Sequence, residues 1–123
     1  MRDEHILVIE DDKDLRDSLC DALRMEGYDV VAAEHGEAAL HHLSTGARPC
    51  VILLDLMMPV MDGWAFHREM LKDRTLASIP IVVMTAAAPA RVSAVDADAV
   101  LYKPLRMDTV VEVVQEHCPD GAA

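Results

Sequence analysis

Four short apolar runs in this chain each end in polar residues, and this pattern constrains the fold more than any other feature. In chain order the runs and the polar residues that follow them are 5–9 with Glu10-Asp11-Asp12, 51–54 with Asp55, 81–84 with Thr85, and 99–102 with Lys103-Pro104. Such runs are typical of buried strands. In a parallel sheet the carboxyl ends of all strands lie at one edge. The sequence therefore predicts that these polar residues gather in one site.

Helix-like patterns separate the strand-like runs along the whole chain, which predicts an α/β fold built from repeated βα units. A fifth strand is predicted at residues 28–33. The predicted helices cover about residues 13–26, 37–43, 64–72, 90–95 and 107–117. Right-handed crossovers then give a doubly wound, five-stranded parallel sheet with helices on both faces. The fourth of these helices is predicted to be short, because it barely reaches two turns.

The length of 123 residues suits one compact domain. We assign residues 1–118 to that domain and expect residues 119–123 to be a frayed tail. Net charge is −11, which disfavours contact with nucleic acid or an anionic membrane, so we expect neither as a partner. No apolar run approaches the roughly 20 residues of a membrane-spanning helix, and the expected location is cytoplasmic.

The chain has three cysteines, Cys20, Cys50 and Cys118, without a C-x-x-C motif. An odd number without metal-ligand spacing is typical of free thiols in a reducing cytosol. The sequence-based interpretation is therefore three unpaired cysteines.

The acids that follow the first and third strands indicate a metal. Neighbouring carboxylates do not all stay ionised unless a cation joins them. Clustered carboxylate oxygens favour a hard divalent ion, most simply Mg²⁺, together with a ligand that brings phosphate oxygens.

The residues 55–63, Asp-Leu-Met-Met-Pro-Val-Met-Asp-Gly, together with Glu10-Asp11, Thr85 and Lys103-Pro104, carry a family resemblance. On these motifs the chain resembles the receiver domain of bacterial two-component response regulators, over almost its whole length. The resemblance implies a flavodoxin-like fold with strand order 2-1-3-4-5. It also implies that an aspartate of the site accepts a phosphoryl group.

The resemblance implies a role for each matching residue. Asp55 corresponds to the phosphoacceptor, and Glu10, Asp11, Asp55 and the backbone carbonyl of Met57 correspond to the ligands of Mg²⁺, with Glu10 acting through water. A carboxylate attacks phosphorus when the phosphoryl group is held in line with it.

Two further residues correspond to groups that contact the transferred phosphoryl group. Thr85 is expected to hydrogen-bond a phosphoryl oxygen, and Lys103 to pair with another. The bond before Pro104 is expected to be cis, as it usually is at this position of the family.

One position departs from the family pattern. Val100 stands three residues before the lysine, where the family usually has Phe or Tyr. Tyr102 lies on the same side of the strand by alternation, so Val100 and Tyr102 are assigned to the output surface. Whether Tyr102 replaces the missing aromatic or is a bystander stays open.

The predicted function is a phosphoacceptor that receives phosphate from a sensor histidine kinase or a phosphotransfer protein and signals through a downstream protein partner. We do not expect a turnover enzyme. Two alternatives remain: a degenerate receiver that only docks, and a phosphatase with an Asp nucleophile, which normally needs a second Asp where this chain has Met57. Whether the domain stands alone or belongs to a longer protein is open.

Overall fold

Five strands form one parallel sheet in the computed structural model, which describes residues 5–119. The strands are β1 (Ile6–Ile9), β2 (Val30–Ala33), β3 (Val51–Asp55), β4 (Ile81–Thr85) and β5 (Ala99–Tyr102). Their order across the sheet is β2-β1-β3-β4-β5, so the predicted flavodoxin-like topology is confirmed. The order reverses at β1, and this places β3 beside β1 at the centre.

Six helices connect and cover the strands within residues 5–119. They are α1 (Lys13–Met25), α2 (Gly36–Ser44), α3 (Gly63–Met70), α4 (Arg74–Ala77), α5 (Pro89–Val92) and α6 (Met107–His117). All residues of β3 and β4 are buried, as expected for central strands that are covered on both faces. Ile52 and Leu54 pack in one core cluster and Leu53 in the other, because strand side chains alternate.

The predicted third helix, at about residues 64–72, corresponds to α3 alone, and the structure has a further turn that the sequence did not predict. Helix α3 ends at Met70, and a single turn, α4, follows it. Asp73 caps this turn, since its Oδ1 accepts the backbone N–H of Thr75 at 2.9 Å. The short fourth predicted helix corresponds to α5, which has only four residues. Its brevity is confirmed.

The cysteine interpretation was wrong for two of the three residues. Cys50 and Cys118 form a disulfide across 68 positions of sequence, with Cα atoms 5.8 Å apart, whereas Cys20 is free and buried. Cys50 lies directly before β3 and Cys118 caps the end of α6. The fold alone brings these positions together, so their spacing in sequence carried no signal of the bond.

Two sequence-based expectations concern the ends of the chain and the membrane. The predicted tail lies outside the described residues, apart from Pro119. Among residues 5–119, no helix is both long and apolar enough to cross a bilayer.

Candidate functional site

Asp55 is the last residue of β3, and its side chain is buried at the carboxyl edge of the sheet, with 2% of the residue exposed. Helix α3 begins close to it. A Cβ on Gly63 would lie 2.7 Å from the carbonyl oxygen of Asp55 and from the Cα of Leu56. Only glycine fits this approach. The Gly63 of the motif therefore allows the helix to press against the strand end that carries Asp55.

Glu10 and Asp11 lie beside Asp55 because β1 and β3 are hydrogen-bonded neighbours. One ligand oxygen from each of these three carboxylates lies within 4.8 Å of the others. Glu10 is fully buried and Asp11 is exposed. The cluster is thus an acidic pocket that opens to solvent on the Asp11 side.

Lys103 supplies the positive charge of the site from the end of β5. Its Nζ lies 2.9 Å from Oε1 of Glu10 and 3.5 Å from Oδ1 of Asp55. Burial works to lower the pKa of the Lys103 ammonium, but the hydrogen bond to Glu10 and the charge of Asp55 together raise it. Lys103 therefore carries its charge at neutral pH. The bond between Lys103 and Pro104 is cis.

The carboxyl group of Asp55 binds a proton more strongly than an ordinary aspartate does. Burial and the neighbouring charge of Glu10 raise its pKa to about 7, against a smaller lowering by Lys103. One ammonium group cannot neutralise three clustered acids. A divalent cation would supply the missing charge, so the donor set fits a hard metal ion.

Thr85 ends β4 and is fully buried next to the strand that carries Asp55. Its Oγ1 accepts the backbone N–H of Ala87 at 2.8 Å, and its carbonyl accepts the N–H of Lys103 at 2.9 Å. Met57 lies on the other side of Asp55, and its N–H donates to Oδ1 of Asp55 at 3.3 Å. The strand ends thus bring Glu10, Asp55, Thr85 and Lys103 to one edge.

Val100 and Tyr102 are farther along the sheet edge. Val100 is half-buried against the core, whereas Tyr102 is 48% exposed. Both line a shallow cavity of about 200 Å³ that also includes Pro104 and Arg106. They share one side of β5, as alternation predicted.

Arg16 is a residue of the site that the sequence argument missed. Its Nη1 donates to the carbonyl oxygens of Glu10 at 2.9 Å and Asp11 at 3.4 Å. These bonds hold the backbone of the loop that presents both acids. The available signal was the position of Arg16 on the first turns of α1, where its side chain reaches back to the preceding loop.

We expect Arg16→Ala to weaken Mg²⁺ binding by about tenfold, because groups that orient metal ligands typically contribute 10–100-fold to affinity. Calorimetric titration with Mg²⁺ measures this change. Arg24→Ala is the matched control, since Arg24 donates to the carbonyl of Val30, outside the acidic pocket. If Arg16→Ala and Arg24→Ala bind Mg²⁺ with equal affinity, Arg16 does not position the metal ligands.

Val60 has an unusual backbone conformation in the loop after Asp55. Its φ is 67°, in the left-handed region, although it is β-branched. The residue is 73% exposed, so packing does not offset the strain.

We expect Val60→Gly to raise the free energy of unfolding by about 1 kcal/mol, measured by urea unfolding. A loss of stability would show that exposed contacts of Val60 outweigh its strain.

Comparisons with known proteins agree with this geometry. The profile of the family described as "Response regulator receiver domain" matches residues 6–115. The structure resembles the signal receiver domain of a histidine kinase from Syntrophus aciditrophicus, with 29% identity, a TM-score of 0.84, and coverage of 94% of this chain and 89% of that one. It also resembles chemotaxis protein CheY4 of Vibrio cholerae, with 29% identity, a TM-score of 0.83, and coverage of 93% and 98%.

Curated relatives are longer than this chain. Response regulator MprA of Mycolicibacterium vanbaalenii is 39% identical over 101 residues, which cover 80% of this chain and 42% of the relative. A probable transcriptional regulator, ycf27, of Porphyridium aerugineum is 40% identical over 86 residues, which cover 70% of this chain and 34% of the relative. The match thus spans less than half the length of each of these relatives. One of these relatives is a probable transcriptional regulator, so the comparisons do not support the expectation that nucleic acid is not a partner.

Proposed function

The chain belongs to the family of response regulator receiver domains, and from this premise we propose that it accepts a phosphoryl group on Asp55 from a sensor histidine kinase or a phosphotransfer protein. The observation that carries the proposal is the convergence of Glu10, Asp11 and Lys103 around the buried Asp55. We assign the receiver unit to residues 1–118.

In the proposed transfer an oxygen of the Asp55 carboxylate attacks phosphorus. The new P–O bond forms as the P–N bond of a phosphohistidine breaks, and the imidazole leaves with the electron pair of that bond. Lys103 pairs with a phosphoryl oxygen, for which it leaves Glu10. The hydroxyl of Thr85 donates to another phosphoryl oxygen, and it can do so while still accepting the N–H of Ala87, since a hydroxyl both donates and accepts.

Glu10, Asp11, Asp55 and the carbonyl of Met57 are the groups that we propose hold Mg²⁺, with Glu10 acting through water. Bound Mg²⁺ supplies positive charge that offsets the charge of the phosphoryl oxygens. A solved response regulator of Thermotoga maritima, TrrA, is described as a complex with Mg²⁺-BeF; it is 30% identical, with a TM-score of 0.77, and the match covers 92% of this chain and 97% of that one.

The output is proposed to be a change in a protein-binding face built from α5, β5 and α6. A phosphoryl group adds about −1.5 to −2 charges, and Lys103 and Thr85 connect this change to β5 and to the segment before α5. Arg91 of α5 lies over the ring of Trp64, 4.5 Å from its centroid, and Trp64 Nε1 donates to the Arg91 carbonyl at 3.0 Å. This contact couples α5 to α3. Val100 and Tyr102 belong to the same face.

Intact-mass measurement after incubation with Mg²⁺ and acetyl phosphate tests the proposal. We expect the protein to gain the mass of one phosphoryl group, and the gain to disappear in Asp55→Asn. Asp12→Asn is the matched control, because Asp12 is an exposed acid next to Asp11 whose side chain caps α1 and whose contact with Glu10 is through the backbone, which the substitution keeps. If the native protein gains no phosphoryl mass, the proposal fails and the alternative of a docking module that takes no phosphate is favoured. Continued release of phosphate from a phosphomonoester would indicate a phosphatase.

A further inference from the structure

A second surface lies between α1 and α6, apart from the phosphoacceptor pocket. A groove of about 360 Å³ separates the last turns of α1 from the first two turns of α6. The lining of the groove is apolar on both sides. Helix α1 contributes Ala22 and Met25, and α6 contributes Met107 and Val111. None of these four side chains is fully buried.

Met25 makes this groove unusual for a protein surface. It is 85% exposed, the most exposed of the large apolar side chains among residues 5–119. Core packing therefore does not account for it. Methionine is flexible and polarisable, and it is over-represented on surfaces that adapt to a partner.

The rim of the groove is acidic. Glu26, Asp108 and Glu112 line it, and no basic residue does so among residues 5–119. Arg106, just outside, pairs with Asp108 at 3.1 Å, and Glu26 accepts a bond from Gln115 at 3.4 Å. Even with the Arg106 pair, the rim keeps an excess of negative charge on both walls.

We propose that this groove docks a basic amphipathic helix of a partner protein, with its apolar side between Met25 and Met107 and its lysines or arginines against Glu26 and Glu112. A helix fits because the two walls are themselves helices, so the guest forms a third member of a small bundle. The proposal goes beyond the phosphoacceptor function and does not depend on it.

Charge decides between this occupant and a second copy of the chain. Two copies meeting at this face would bring two acidic rims together, in a protein whose net charge is −11. Like charges that face each other across an interface disfavour association. An acidic or neutral helix lacks the complementary charge, so a basic helix is the occupant that fits.

The test uses two fluorescent helical peptides of about 18 residues, long enough to be helical in isolation, one of leucine and lysine and one of leucine and glutamate. Binding is followed by anisotropy at about 0.15 M salt, where weak long-range attraction is screened. We expect the lysine peptide to bind and the glutamate peptide not to bind. No binding of the lysine peptide, or equal binding of both, would overturn the proposal.

Two matched pairs of variants test whether the lysine peptide binds in the groove. The first pair consists of two double variants. One carries Glu26→Gln and Glu112→Gln in the groove, and the other carries Glu37→Gln and Glu69→Gln on α2 and α3, so both change the net charge of the protein by the same amount. Met25→Ser is compared with Val60→Ser, another exposed apolar residue outside the groove. We expect each groove variant to weaken binding by about tenfold and each control by less than about twofold. Equal losses in groove and control variants would mean general attraction to an acidic protein and would overturn the site.

Discussion

Reduction of the Cys50–Cys118 disulfide is expected to lower the free energy of unfolding by about 2–4 kcal/mol. The bond closes a loop across 68 positions, and this loop contains β3, β4, β5 and α6. In the chain-entropy account, such a loop restricts the unfolded chain far more than the folded one. A loss of this size is a large part of the stability of a small domain.

The loop also connects the site to the C-terminal helix. Asp55, Thr85 and Lys103 lie within it, whereas Glu10 and Asp11 lie outside. The end of α6 is fixed a second time by Tyr28, whose hydroxyl donates to the carbonyl of Cys118 at 2.7 Å. We therefore expect reduction to loosen the C-terminal end of α6 first, because the disulfide lies at that end and the buried Val110 and Val114 hold the earlier turns.

Urea unfolding with and without a dithiol reductant measures the effect. Cys20→Ala is the matched control, because Cys20 is the free cysteine and its removal leaves the disulfide intact. The reductant should still destabilise Cys20→Ala but have no effect on Cys50→Ala or Cys118→Ala. Complete alkylation of three thiols in the untreated native protein would show instead that the bond is absent and that the sequence-based interpretation was correct.

The sequence predicted most of the sheet and the composition of the site, for a physical reason. Each strand end is a local pattern, and parallel strands bring their ends to one edge whatever the connections are. Asp55, Thr85 and Lys103 could thus be placed near one another without coordinates. The close contact of α3 with the end of β3, where a side chain at Gly63 would collide with the strand, was seen only in the structure.

Features that depend on three-dimensional contact could not be predicted in this way. The Cys50–Cys118 pair joins segments that approach only after the sheet and α6 have formed. Arg16 acts on backbone carbonyls, which every residue offers, so its position on the first turns of α1 was the one signal and did not identify its partners. The groove beside Met25 arises from the crossing of two helices whose separate patterns are both ordinary amphipathic ones.

Asp55→Asn is expected to stabilise the metal-free protein, and the gain should grow as the pH rises from about 4 to about 7. The folded pKa of Asp55 is about 7, above its ordinary value of 3.8, so the folded protein holds a proton that the unfolded chain has released. Stability from this group is full below the ordinary pKa and is lost as the pH rises through the folded one. A shift of this size corresponds to at most about 4 kcal/mol.

The comparison of native protein with Asp55→Asn at each pH removes the titration of Asp55 together with its charge interactions with Glu10 and Lys103, whereas acids far from the pocket titrate equally in both proteins. Asp17→Asn is a control of opposite sign, since a hydrogen bond from Lys13 lowers the pKa of the exposed Asp17. A difference between native protein and Asp55→Asn that stays constant from pH 4 to pH 8 would contradict the assigned pKa.

Mg²⁺ should act on the same equilibrium, because metal binding to the carboxylates competes with the proton on Asp55. The stabilisation that Mg²⁺ gives to the native protein should increase as the pH rises toward about 8 and should be much smaller in Asp55→Asn. Thermal unfolding with and without Mg²⁺ at several pH values measures both effects. Because Mg²⁺ binding competes with the proton on Asp55, a pH-independent response to Mg²⁺ would place the ion away from Asp55.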